Sequence, residues 1–504
     1  MTRDAASIGA GLAPAREARP IRAGERIHVI GAAGAGASAA ALLAVDAGAI
    51  VSACDAGGPS PYSEAVERAG ITVAIGHDVA HVATEPRPDR VAVTKALTAV
   101  DPDHPELRAA RERGIPLEAW QQVIADAAVG RTLVAIAGTH GKSTTAGWLV
   151  HVLVEAGLDP AAFVGALQPA TVTGGVPSTA RTGRGAAFVV EADEYAGNFD
   201  AYRPSIAVLT SVEWDHPDVF ADETAVLDAF EAWLARMPAD GCLVANVGDP
   251  RVAALLDRPA LGGLRMIRYA LEDAAGTVTA GLRGRITSAD ASGTTLDIAG
   301  LEPGGTTLRA RLATAGRHNA ANALGVAGAA ASLGVAHADV IRGLESFRGV
   351  GRRLERKGEA GGVVVYDDYG HHPTAIRATI EAIRQREPGR RIWAVYEPLT
   401  YHRTAALIDA FAASLATADA VAIADIWAGR DPDTTIASAA GLAGAVAAVR
   451  PDLHVAAPGS VDATAEWLAR TVRAGDAVLV MGGGHSYRIA TGLLERLGKE
   501  TASR

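Results

Sequence analysis

One stretch constrains this chain more than any other. The apolar run Leu133-Val134-Ala135-Ile136-Ala137 breaks into Gly138-Thr139-His140-Gly141-Lys142-Ser143-Thr144-Thr145 and restarts as the helical pattern Ala146-Gly147-Trp148-Leu149-Val150. A buried strand, a glycine-bracketed turn and a helix in that order aim backbone N–H groups and the positive end of a helix at whatever sits above the turn. That arrangement suits a phosphate. Gly138 and Gly141 let the backbone close around an anion. Lys142 can reach the outer phosphates of a nucleotide, and the Ser143 hydroxyl can ligate Mg²⁺. The spacing is not the common Walker form, which needs glycine where this chain has Ile136.

The rest of the chain arranges itself around that loop. At 504 residues it exceeds what one core supports, and three domains are expected. A segment 1–20, rich in Ala, Gly, Pro and Arg, is expected to be a disordered tail, without the continuous apolar core of a signal peptide. A Rossmann-like domain over 21–126 opens on the strand Arg26-Ile27-His28-Val29-Ile30, then Gly31, Gly34 and Gly36, then an alanine-rich helix and a second strand ending at Asp55. Its glycine spacing departs from the dinucleotide fingerprint, and a plain tight turn is an equal reading.

The central P-loop α/β domain, 127–346, carries further apolar strands that end in Glu191-Ala192-Asp193-Glu194 and in Glu213-Trp214-Asp215-His216. Within it, alternating segments 277–286 and 294–298 suggest an antiparallel patch. From 347 to 504, strand and helix alternate again, which implies a second Rossmann-like parallel sheet covered on both faces. The fold class expected is therefore α/β in three domains.

Composition excludes several classes. The net charge of −10 leaves no basic excess for nucleic acid, and no apolar run of 18 residues offers a membrane span. Cys54 and Cys242 are the only cysteines, so neither a disulfide framework nor a cysteine zinc cluster is expected. A cytoplasmic protein follows. Only Lys95, Lys142, Lys357 and Lys499 are lysines, and one of the four falls in the phosphate loop.

Strand ends carry the remaining candidates. Glu191 can hold Mg²⁺ opposite Ser143, or be a solvated acid; His216 can ligate metal, or be structural. Asn319 and Asn322 stand one helical turn apart and can offer amides to an adenine edge, or cap a helix. Arg352-Arg353 can reach a moving phosphoryl group or be surface charge. Asp367-Asp368-Tyr369-Gly370-His371-His372-Pro373 packs titratable groups at a strand end, and Glu397-Pro398-Leu399-Thr400-Tyr401-His402-Arg403-Thr404 ends the next strand over.

From Arg26 to about Arg488 the chain resembles the Mur ligases, the amide-forming enzymes of peptidoglycan precursor synthesis, through Gly-Thr-His-Gly-Lys-Ser-Thr-Thr, Glu-Ala-Asp-Glu-Tyr, Gly-Arg-His-Asn-x-x-Asn-Ala and Asp-Asp-Tyr-Gly-His-His-Pro-Thr. Within the family the likeness is greatest to the branch that adds L-alanine to UDP-N-acetylmuramate.

The resemblance implies an ATP- and Mg²⁺-dependent ligase working through an acyl phosphate. It implies that Gly138, Thr139, His140, Gly141, Lys142, Ser143 and Thr144, with Asn319, Asn322, Arg353 and Asp368, bind ATP. Ser143, Glu191 and His216 would hold metal; Lys142, Glu191, His216, Arg353 and Asp368 would be catalytic. Gly31, Gly34, Gly36 and Asp55 would hold the UDP-sugar, and Tyr369, His371 and Arg403 the amino acid. Several relatives use a carbamylated lysine in the central domain, a device this chain cannot use because no lysine lies between Lys142 and Lys357.

Two departures stand out. The alanine-adding branch typically reads Gln-Pro-His-Arg-Tyr-x-Arg-Thr where this chain has Glu397 to Thr404, and Gly-Ala-Gly-Asp-Ile where it has Gly482-Gly483-Gly484-His485-Ser486. The Glu-Pro step is similar to the recycling branch, which adds a murein tripeptide to the same sugar nucleotide. A nicotinamide-dependent dehydrogenase and a non-catalytic ATP-binding regulator are the readings from other classes.

Overall fold

The near-continuous apolar strands are buried on both faces, as parallel sheets flanked by helices require. The computed structural model describes residues 5–273, 281–302, 304–429, 431 and 433–502, and among them the strands form three sheets. The first is all parallel, in the order Val73–Ile75, Ile50–Asp55, Arg26–Ile30, Arg90–Val93, Leu117–Ala119. Strand order reverses at Arg26–Ile30, so the turn after it opens at a topological switch point.

The second sheet has ten strands. Thr132–Ala137, which leads into the phosphate loop, lies between Ile206–Leu209 and Ala187–Ala192. Those three parallel strands deliver Gly138, Ser211 and Asp193 to one edge of the sheet. The expected antiparallel patch is present as Leu282–Asp290, Gly293–Ala299 and Leu308–Leu312. Residues 277–280 of the first expected segment lie outside the described residues. Helix Arg317–Ser332 lies close on this sheet because glycines face it: a Cβ on Gly325 would meet the Tyr269 hydroxyl at 2.9 Å, and one on Gly328 would meet Val244 at 2.8 Å.

The third sheet runs Glu355–Ala360, Val363–Asp368, Asp476–Gly482, Arg391–Glu397, Ala420–Ala424, His454–Gly459, antiparallel only in its first pair. It docks on the central domain through polar bridges: Arg353 Nη2 donates to Ser143 Oγ at 2.7 Å, and Thr374 Oγ1 to Glu213 Oε1 at 2.8 Å. The mixed α/β, three-sheet architecture is the one the strand pattern predicts.

The N-terminal tail is a correction. Far from being disordered, the described part of 1–20 packs on the first domain. Ile8 is buried, and Thr98 Oγ1 donates to its carbonyl. Arg16 pairs with Glu118 and Asp126, and Arg19 with Glu25. These carboxylates are buried, and Arg90 beneath them contacts all three; one arginine cannot satisfy so many oxygens. The tail supplies the missing guanidinium groups, a pairing between distant segments that composition does not reveal.

Candidate active site

A cavity of about 920 Å³ opens where the three domains meet. Thr139 to Thr144 form part of its wall, at the head of helix Lys142–Glu155, whose first N–H groups have no partner within the helix. Gly138 does not line the cavity but shapes the loop: its φ is +130°, and a Cβ there would come within 2.3 Å of Thr210 Oγ1. Gly141, φ +82°, leaves the place that Asn322 Oδ1 overlooks at 2.6 Å.

Lys142 Nζ donates to Gly138 O at 2.6 Å and to Glu194 Oε2 at 3.0 Å. Burial works against the ammonium, but Glu194, Asp193 and Glu191 outweigh it and hold the lysine above its ordinary value. Ser143 Oγ donates to Glu191 Oε1 at 2.9 Å, while Glu191 Oε2 accepts from Gly165 N at 2.6 Å. Arg353, from the third domain, completes a chain Arg353–Ser143–Glu191. A hydroxyl and a carboxylate held this close suit a hard, oxygen-seeking cation, so these residues fit Mg²⁺.

His216 has left-handed backbone (φ +55°). Its Nδ1 accepts from Arg403 Nη2 at 3.1 Å, and its ring lies edge-on to Tyr195. It forms a group with Asp193 and Glu194 whose ligand atoms lie within 4.8 Å of one another. Those two acids were not singled out from sequence, although the Glu-Ala-Asp-Glu run contains them. A second trio, His140, Glu213 and His372, spans two domains: His140 Nε2 is 2.7 Å from Glu213 Oε2, and His372 Nδ1 is 3.5 Å from it. Burial opposes ionisation of Glu213, yet His140 and His372 bring it down to about 2. Burial and His140 push His372 down to about 4.

Asn319 and Asn322 both line the cavity, on helix Arg317–Ser332 capped by Gly316 rather than by either of them. Asn319 Nδ2 donates to Ala315 O at 2.8 Å and Asn322 Nδ2 to Asn319 Oδ1 at 3.3 Å. Asp368 accepts from Leu354 N and Gly370 N, both at 2.7 Å, and so ties the arginine turn to the Tyr369–His371 loop. The Tyr369 ring lies under both guanidinium groups, 5.1 Å from Arg352 and 4.7 Å from Arg353.

At the far end, Arg403 is buried and committed. Its Nε donates to Asp215 Oδ1 at 2.7 Å. Burial disfavours the Asp215 charge, but Arg403 overrides it and holds the carboxyl well below its usual range. The sequence reading left Arg403 free for a substrate carboxylate, because nothing local predicts a partner 188 residues away. His371, driven well below its ordinary value by burial and then by Arg403, is neutral. Leu399 and Trp427 line the wall beyond, bridged backbone to backbone.

Of the four first-domain candidates only Gly36 reaches the cavity wall, beside Trp120. Gly31, Gly34 and Asp55 are not among its lining residues. Gly31 N and Ala32 N donate to Cys54 O, and Gly34 N to Gly31 O. The Asp55 carboxylate takes the N–H groups of Ala33 at 2.9 Å and Gly57 at 2.7 Å, so it holds the turn in shape.

Comparison with known proteins follows the three sheets. Residues 26–132 match the Mur ligase family catalytic domain, 136–330 the Mur ligase middle domain, and 352–484 the Mur ligase glutamate ligase domain. The UDP-N-acetylmuramate–L-alanine ligase of Kineococcus radiotolerans is 39% identical, covering 94% of this chain and 96% of that protein. Its counterpart in Mycolicibacterium smegmatis is 36% identical over 94% and 95%. Among solved structures, the UDP-N-acetylmuramate–alanine ligase of Thermotoga maritima shares the fold with a TM-score of 0.76 at 22% identity, covering 95% of this chain and all of that one. A murein peptide ligase from Psychrobacter arcticus aligns with a TM-score of 0.71 at 26% identity, over 94% and 99%.

Proposed function

The chain belongs to the Mur ligase family, and from that premise we propose that it joins L-alanine to UDP-N-acetylmuramate at the expense of ATP. The observation that carries the reading is the Arg353–Ser143–Glu191 chain beside Lys142, which puts two cations from two domains on one phosphate loop.

The sugar's lactyl carboxylate attacks the γ-phosphorus; the bond to the β–γ bridging oxygen breaks, giving an acyl phosphate and ADP. The alanine amine then adds to the activated carbonyl and phosphate leaves, the amine proton passing to base or solvent. Lys142 gives up its pairing with Glu194 to face the phosphates, and Arg353 likewise leaves Ser143 for the moving phosphoryl oxygens. Ser143, Glu191 and His216 would hold Mg²⁺, which when bound supplies positive charge to the phosphate oxygens. Asn319 and Asn322 offer amides to adenine. Asp368 positions Arg353 through the Leu354 turn. Tyr369 and His371 border the acceptor, and Arg403 acts there through Asp215 and His216. Gly31, Gly34, Gly36 and Asp55 build the turn for the UDP-sugar. This chemistry is that of a cytoplasmic enzyme using small-molecule substrates, and no helix among the described residues is long and apolar enough to cross a membrane.

Charge supports a small acceptor. A tripeptide brings additional carboxylates, while Arg403 is already spent on Asp215 and His371 is neutral. Phosphate release with ATP and UDP-N-acetylmuramate, comparing kcat/KM for L-alanine, glycine, L-serine and the murein tripeptide, tests this. L-alanine is expected to lead; a lead for the tripeptide would move the chain to the recycling branch, and no acceptor-dependent release would remove the ligase reading.

A further inference from the structure

Directly beneath the Gly31–Gly36 turn, on one face of the first sheet, four side chains converge that the ligase chemistry does not use. Cys54 lies near the end of strand Ile50–Asp55, His28 lies on the neighbouring strand, His81 sits on the short helix Ala80–Ala83, and Glu106 lies in the first turn of helix Pro105–Glu112. His28, Cys54 and Glu106 are buried; the His81 side chain is about one-fifth exposed. Their ligand atoms all lie within 4.8 Å of one another. Glu106 Oε1 is 3.0 Å from His28 Nε2 and 3.1 Å from His81 Nδ1, and Cys54 Sγ is 3.8 Å from both Glu106 oxygens.

Hydrogen bonding alone leaves one member of this cluster unsatisfied. His28 Nε2 is buried and makes no hydrogen bond among the described residues, although it points at Glu106. Its other nitrogen is already held by Ser52 Oγ at 2.8 Å, the kind of outer contact that fixes which nitrogen a ligating histidine presents. His77 Nδ1 stands 3.2 Å from Sγ and can donate to a thiolate there.

The geometry points to a structural zinc site made by Cys54, His28, His81 and Glu106. One sulfur, two imidazole nitrogens and one carboxylate oxygen are all zinc donors, and bonds of roughly 2.0–2.3 Å place tetrahedral ligand atoms about 3.3–3.8 Å apart, comparable to the spacings around Glu106. Binding releases the thiol proton to solvent. The resulting thiolate and the carboxylate balance Zn²⁺, so the buried core carries no net charge. The site would tie the two short helices to the central strand and to its neighbour Ile50–Asp55. It would also fix the floor of the glycine turn, because the Cys54 carbonyl accepts from Gly31 N at 2.8 Å and Ala32 N at 3.1 Å.

Cobalt provides the test, since only a cysteine site gives thiolate-to-Co²⁺ absorption in the near ultraviolet. The only other cysteine, Cys242, is buried against Ser332 and belongs to no such cluster among the described residues. Metal-stripped full-length protein, kept in excess Mg²⁺, is titrated with Co²⁺. The expected result is saturation at about one equivalent with the thiolate band and intense four-coordinate visible bands, displaced by equimolar Zn²⁺. Cys54→Ser should lose the near-ultraviolet band, and His81→Ala, altering a partly exposed side chain, should weaken binding roughly 10-fold or more. No thiolate band from the wild-type protein at excess Co²⁺, or a band that persists in Cys54→Ser, would overturn the proposal. The wild-type titration stands even if a variant fails to fold.

Discussion

The two ends of the cavity solve opposite problems. At the phosphate end, Lys142 and Arg353 are held beside Glu194, Ser143 and Glu191, contacts that an incoming polyanion and its metal can replace. At the acceptor end, Arg403 is locked to Asp215, His371 is neutral, and Leu399 and Trp427 form the wall. One end stores charge to be delivered; the other has charge that is already neutralised. The contrast explains how one cavity can bind several phosphates at one side and a singly charged amino acid at the other.

The largest test is made at the phosphate end. Lys142→Ala should lower turnover by a factor of about 10³ or more, since an ammonium aimed at developing phosphoryl charge acts mainly in the transition state. Phosphate release normalised to the folded fraction from circular dichroism measures it. Near-wild-type turnover would mean that the stored charge is not delivered, and the contrast between the ends would go with it.

At the acceptor end the matching experiment reads stability. Arg403→Met leaves Asp215 buried without its cation, which should cost about 3–5 kcal/mol in denaturant unfolding. Adding Asp215→Asn should restore most of the loss. If the double variant is no better than the single one, the guanidinium is not committed to Asp215 and is free for a substrate carboxylate.

How well each end can be read from sequence follows from how it is built. The strand–turn–helix path of Gly138 to Thr145 was legible, because a short motif encodes it; Glu191 and Arg353 lie far from it in the chain, and their meeting at Ser143 is seen only in the fold. Asn319 and Asn322 were legible as a pair at helical spacing. The acceptor end is assembled from segments around 215, 371, 399, 427 and 483, and no local pattern reports that Arg403 meets Asp215. The packed N-terminal tail escaped for the same reason: its Arg16 is paired with carboxylates about a hundred residues away. The parallel α/β character and the antiparallel patch were foreseeable, since apolar run length and alternation are properties of each strand alone; the order of strands within each sheet was not.

A smaller effect lies at the Glu-Pro departure. Glu397 is buried, one of its oxygens makes no hydrogen bond among the described residues, and burial pushes its carboxyl up to about 7 against the partial relief of Ser486 N and Arg352. The folded chain therefore keeps a proton that the unfolded chain loses near 4.5, and stability falls as pH rises from about 4.5 to 7. Glu397→Gln, the residue typical of the alanine-adding branch, should raise stability by about 1–3 kcal/mol at pH 8 and change little at pH 4.5. Equal effects at both pH values would show that Glu397 contributes through packing and not through an imposed charge.

The smallest expected effect is none. Several members of the family support a second cation with a carbamylated lysine, a group that forms from carbon dioxide. No lysine lies between Lys142 and Lys357, and the Lys142 ammonium, beside Glu194 and held above its ordinary value, stays protonated and is a poor nucleophile for carbon dioxide. The central domain instead places Asp193, Glu194 and His216 together, and their carboxylate oxygens can take the place of the oxygen ligands a carbamate would otherwise provide. Turnover in degassed, carbon-dioxide-free buffer should therefore equal turnover with added bicarbonate. Reversible activation by bicarbonate would mean that a lysine is recruited after all, and the phosphate end would then rely on a modification instead of on charges already in place.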